Sequence, residues 1–187
     1  MKKAIALILS LMLLLCCVSA LAEAEEKETI TMPGGFTITT DKLPEGFTMN
    51  VEKSTDMEYE ARITSSEAGK PYYILLMYFS DEWDGVNTLA DATAEDIAEV
   101  KDSFYEVTEL DDGDILFEDG KTGEGTPLLI ARAADGSFGA VYAIYMSHEI
   151  EVDIFHEDDA QVTDEEVQTV VTFLTNIQFT PAEAPAT

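Results

Sequence analysis

The rhythm of the apolar residues constrains this chain most. Short runs rich in Ile, Val, Tyr, Phe and Thr alternate with turn residues through most of its length: ETITM, GFTITT, FTMNVEK, MEYEARIT, YYILLMYF, FYEVTEL, DILFED, PLLIARA, FGAVYAIYM and EIEVDIF. That is the pattern of an antiparallel meander. At Asp112-Gly113 and Asp135-Gly136 the turn chemistry is specific, because such pairs supply the positive φ angles of a tight hairpin. The strands flanking each pair are expected to be neighbours.

Two segments break the rhythm at helical spacing. In TAEDIAEVKDSF, Thr93 can cap, and Ala94, Ile97, Val100, Lys101 and Phe104 mark one face with a narrow apolar stripe. Thr163 and Glu166 form a capping box ahead of Val167, Val170, Val171, Leu174 and Ile177, so a second helix is expected to lie flat on the sheet. Strand faces follow from alternation. In EIEVDIF the apolar Ile150, Val152 and Ile154 alternate with Glu149, Glu151 and Asp153, so one face is expected to be wet. YYILLMYF and AVYAIYM are apolar on both faces and are placed at the centre of the sheet. The expected class is α+β, a mainly antiparallel twisted sheet flanked by two helices, in a single domain over residues 29–179.

This order resembles the PsbP-like α/β sandwich family over nearly the whole mature chain. A first strand pair, paired strands, a helix, a long meander and a last helix running into NIQF follow one another, and FTITTDKLPEGF echoes the aromatic-proline start of such domains. The resemblance implies a non-catalytic accessory or binding protein.

The address is read from the first residues. MKKAIALILSLMLLLCCVSALA has two lysines, an apolar run from Ala4 to Val18 and small residues at its end, so residues 1–22 are expected to be a secretory signal peptide. The cleavage site expected is Ala20-Leu21-Ala22, with Ala22-Glu23-Ala24 as second choice. Residues 23–28 then form an acidic linker and residues 180–187 a disordered tail. Cys16 and Cys17 both lie in the signal, so the exported chain has no thiol for a disulfide, a metal or a nucleophile. Localisation outside the cell or in the periplasm follows.

Composition narrows the partners. The chain has 10 Lys and Arg against 38 Asp and Glu. Loss of Lys2 and Lys3 with the signal leaves a net charge of about −30, which repels nucleic acid and anionic membranes. An unknown protein, a cationic ligand or a divalent ion is the expected kind of partner. Solubility alone also accounts for such a charge.

Several catalytic signatures fail on spacing. FEDGKTGEG, residues 117–125, contains a Gly-Lys-Thr, but a phosphate loop needs a Gly where Ile115 stands and a helix where Pro127 and a strand follow. A hairpin loop is the reading. His148 lacks a second zinc-binding histidine, since Val152 occupies that place. His148 and His156 share a strand face roughly 26 Å apart at about 3.3 Å per residue, too far for one metal. Half-buried structural histidines are expected. Ser137 in DGSFG has no nucleophile elbow around it.

What stays open is calcium, which carboxylate-rich loops bind. Candidate ligands are Asp81, Glu82 and Asp84, then Asp111, Asp112 and Asp114, then Glu157, Asp158 and Asp159, none with the EF-hand spacing. Trp83, the only tryptophan, stands in an acidic loop as a lid over the core or as an anchor for a partner. The expected function is that of an exported, soluble, non-enzymatic binding or accessory protein without a cofactor. A hydrolase using cleft carboxylates and a calcium-dependent surface protein are the alternatives.

Overall fold

A computed structural model describes residues 28–31, 37–40, 46–55, 57–78, 83–158, 160–175 and 178–180, with side-chain surroundings between 46 and 175. Ten strands and two helices run in the order β1 (Glu28–Thr31), β2 (Thr37–Thr40), β3 (Phe47–Ser54), β4 (Glu58–Ser65), β5 (Tyr72–Tyr78), α1 (Ala94–Thr108), β6 (Ile115–Lys121), β7 (Pro127–Ala133), β8 (Gly139–Tyr145), β9 (His148–Phe155), α2 (Asp164–Thr175) and β10 (Gln178–Thr180). The class is α+β. Seven strands form one open antiparallel sheet in the order β3-β4-β5-β9-β8-β7-β6, and β1-β2-β10 form a second, three-stranded antiparallel sheet. The signal peptide, both cysteines, most of the acidic linker and the tail beyond Thr180 lie outside the described residues.

The two faces of the large sheet are covered differently. On one, Tyr59, Ala61, Ile63, Tyr73, Leu75, Met77, Val141, Ala143, Ile150, Val152 and Ile154 pack under Val167, Val170, Val171 and Leu174 of α2. These four recur at the spacing that places them on one side of a helix, and burying each is worth about 1.5–3 kcal/mol. The capping box is present: Thr163 N–H donates to Glu166 and Glu166 N–H to Thr163 Oγ1. On the other face, Val100 and Phe104 of α1 meet Ile115, Leu129, Ala131, Ala133, Phe138, Ala140, Tyr142 and Ile144. This layer covers the β6–β8 half of the sheet.

Several expectations are corrected. FYEVTEL is no strand; it is the end of α1 and its exit, because Phe104 faces the sheet and Thr108 follows it one helical turn later. Helix α1 begins at the predicted cap, with Thr93 and Asp96 exchanging hydrogen bonds, and ends on Glu109 in the left-handed region at φ 56°. Asp112-Gly113 therefore belongs to the α1–β6 turn. Asp135-Gly136 does join neighbouring strands, but in a four-residue loop closed by Ala133 N–H donating to Phe138 O, with positive φ at Gly136 alone. The two-residue hairpin is elsewhere: Tyr145 faces His148 across Met146 and Ser147, at φ 50° and 66°.

The central strand is also not the one expected. With three strands on each side, β9 is the middle of the sheet, and β5 and β8 flank it. Strand β8 is buried on both faces as predicted, whereas β5 alternates buried and partly exposed. FEDGKTGEG is a hairpin, with Lys121 opposite Pro127 and Thr122 N–H donating to Thr126 O.

Candidate functional site

The acidic face of β9 was expected to be wet, and it is not. Asp153 is only 8% exposed, and Glu149 and Glu151 are half-buried. Alternation put these three carboxyls on the side opposite Ile150, Val152 and Ile154, as the sequence requires. What the sequence does not carry is that β9 is central and that α1 lies across this side. Register sets their neighbours: Glu149 lies between Tyr78 and Ile144, Glu151 between Leu76 and Tyr142, and Asp153 between Ile74 and Ala140.

Each carboxyl meets a different fate. Glu149 accepts a hydrogen bond from the indole N–H of Trp83. Glu151 and Asp153 stand two residues apart on the same side of β9. Burial, then the charge of Asp153 and their mutual hydrogen bond, then Glu149, pushes Glu151 well above the carboxylate range. Burial raises Asp153 from 3.8 to about 6, the bond from Glu151 working the other way. No Lys, Arg or His appears among the groups acting on either one. Their field reaches the flanking phenols as well. Tyr78 is raised to about 12 by burial and by Glu151, Glu58, Asp153 and Glu149, and Tyr142 is raised by burial, Glu149 and Glu151. Asp153 Oδ1 is buried without a hydrogen-bond partner. A lone buried acceptor of this kind costs roughly 1–3 kcal/mol.

The two carboxyls form part of the lining of a pocket of about 270 Å³. The rest of the lining is Phe104, Val107, Thr108 and Leu110 from α1 and its exit, Ser137 and Phe138 from the β7–β8 loop, and Phe155 from the end of β9. Space exists beside Asp153 because its neighbour on β8 is Ala140. The rings make one wall, with centroids 6.3 Å apart for Phe104 and Phe138 and 5.7 Å for Phe138 and Phe155. Tyr72 stacks on Phe155 at 5.4 Å and carries the Arg62 guanidinium 4.1 Å above its ring. The mouth is at α1, where Val107 is 82% exposed.

The other candidates lie apart from this pocket. Trp83 is 8% exposed and packs in the α1 layer, so its place is that of a lid and not of an exposed anchor. Asp111, Asp112 and Asp114 are exposed in the α1–β6 turn, where Tyr105 donates to Asp112, and Asp84 is exposed beside Trp83. Glu157 and Asp158 are exposed after β9. Asp81, Glu82 and Asp159 lie outside the described residues. Among the described residues no three His, Cys, Asp or Glu converge where a metal could sit. His148 Nδ1 lies 2.5 Å from Met146 O, and the His156 imidazole, 5% exposed, has Nε2 3.1 Å from Glu166 Oε1. Ser137 Oγ donates to Asp135. No described helix is long and apolar enough to cross a membrane.

Reading the sequence missed Glu151 and Asp153 as site residues. Their signal was faint: charged residues alternating within a strand that otherwise packs, next to two strands apolar on both faces. Compared with known families, the sequence matches no family model, and a comparison with characterised proteins finds no match.

Proposed function

We propose that this chain is an exported, non-catalytic binding protein that holds a small, positively charged ligand in the pocket between α1 and β9. One observation carries the reading. Asp153 is buried in the pocket lining with an oxygen that has no partner, and neither it nor Glu151 has a basic side chain acting on it. A fold that buries carboxyls without a counter-charge gives up stability, and such exceptions to good packing concentrate at functional sites. A cation in the pocket restores the balance. The acidic surface favours its approach, and the layout resemblance to PsbP-like sandwiches points to binding as well.

The carboxyl pair also favours a second reading, a hydrolase, since two coupled acids can move a proton. Against it, burial raises both carboxyls, so neither is left as a strong anion opposite a protonated acid. Ser137, the hydroxyl at the rim, donates to Asp135, whose carboxyl that bond holds below its usual range, so it is a weak base for activating the hydroxyl.

A thermal-shift panel of small cationic, neutral and anionic compounds, run on the wild type and on Thr108→Trp, tests the reading. Thr108 lines the pocket from the last turn of α1, and an indole there fills it. Stabilisation is expected from cations alone and is lost in Thr108→Trp. Stabilisation that ignores charge, or that survives the blocked pocket, overturns the proposal. Chemical turnover of any compound in the panel moves the protein to the second reading.

A further inference from the structure

Building on the pocket reading above, we infer that the group recognised is an ammonium that keeps N–H bonds, borne on a short aromatic or alkyl body. The head sits at Asp153 and Glu151 and the body against Phe104, Phe138 and Phe155.

An ionised carboxylate only accepts hydrogen bonds, so the free Oδ1 of Asp153 calls for a donor as well as a charge. A quaternary ammonium brings the charge and no donor. A hard metal ion wants six or more oxygen ligands, whereas the lining beyond these two carboxyls is mostly ring and alkyl surface. Aromatic faces attract cations. The same side of the sheet already uses that attraction, with Arg62 over Tyr72 and Tyr72 stacked on Phe155. Size sets the body: about 270 Å³ lies just under the roughly 300–1,000 Å³ of drug-sized sites. A molecule of about ten heavy atoms fits such a volume.

When the ammonium arrives, a proton that burial favours on these carboxyls leaves to solvent. Both carboxylates then face the cation. The titratable groups tied to this pair are Glu149 of β9, Tyr142 of β8 and Tyr78 of β5; Glu58 and Arg62 of β4 and Tyr72 of β5 lie on the same side, while the part of α1 lining the pocket contributes only Phe104, Val107 and Thr108.

Isothermal titration of the purified protein with 2-phenylethylamine, 2-phenylethanol and the N-trimethylated amine tests the inference. An Nα-acetyl-lysinamide arm separates a free amine from the tip of a partner's lysine, the tighter binder naming the source. Charge-assisted hydrogen bonds predict that the amine binds at least about tenfold tighter than the alcohol and the quaternary ion. In Asp153→Asn that advantage falls to within about threefold, with near-ultraviolet circular dichroism confirming the fold. In two buffers of different ionisation enthalpy the binding heat shows proton release near pH 6. If the alcohol binds as well as the amine and both are lost in Thr108→Trp, the pocket stands and the ammonium inference falls. Failure of all four probes, where other cations still stabilise through the pocket, also ends this inference. If no cation of the wider panel binds, the pocket reading itself is gone.

Discussion

Asp153 shows how a single side chain ties stability to pH. Its carboxyl holds a proton more tightly in the fold, at about 6, than the ordinary 3.8. For an acid raised in this way the folded state binds more protons, so stability is greatest below about pH 4, falls between 4 and 6, and is level above. A shift of this size corresponds to at most about 3 kcal/mol. Asp153→Asn removes the ionisation and keeps the shape. Urea unfolding at pH 4 and pH 7 is expected to show the variant more stable than wild type by about 1–3 kcal/mol at pH 7, with little difference at pH 4. Equal stability at both pH values would mean that this carboxyl is not desolvated. None of this was legible from the residue alone. Alternation located the side chain correctly, but burial on that side comes from a helix whose path the sequence does not state.

At the scale of elements the sequence spoke most clearly where local chemistry and packing agree. Thr163 and Glu166 cap α2, and its four apolar residues reach the core. It misled where propensity and packing part: Tyr105, Val107 and Thr108 read as strand, yet they complete α1 because Phe104 anchors the helix against the sheet. The β8–β9 turn was missed for a like reason. Two-residue hairpins favour Asn-Gly, and this one is Met146-Ser147. A left-handed conformation costs roughly 1–2 kcal/mol for each such residue. The flanking strands hold it in place, helped by the Met146 N–H donating to Asn87 O. Since Met146 is 42% exposed, little packing is lost on replacing it. The double variant Met146→Asn, Ser147→Gly is expected to gain about 1–2 kcal/mol in urea unfolding. A loss would show that the methionine and serine side chains hold the turn in ways the backbone angles do not reveal.

For the whole molecule the governing quantity is charge. A formal net charge of −28 on 187 residues sets like charges against one another across the surface. Raising the ionic strength from about 0.01 M to 0.5 M shortens the screening length from about 30 Å to a few ångströms. Sodium chloride over that range is expected to raise the melting temperature by about 3 °C or more. Calcium chloride at matched ionic strength is expected to give the same rise, because the described carboxylates do not converge. An excess specific to calcium would favour the metal-dependent reading. The α+β class and most of the strands were legible at this scale, since alternation and turn residues recur along the chain. Strand order was not, because pairing between distant segments leaves no local mark.

That order has a consequence for how the chain closes. Strands β3, β4 and β5 follow one another as hairpins, and so do β6, β7, β8 and β9, so each half assembles from neighbours in sequence. Within the described seven-stranded sheet, the backbone pairing that joins one half to the other is the zip of β5 onto β9, from Tyr72 beside Phe155 to Tyr78 beside Glu149. Long-range joins of this kind form slowly, since the intervening loop must be gathered first. The acidic row runs along that suture, and a guest seated there would act as a clasp on the side opposite the core that α2 lays across both halves.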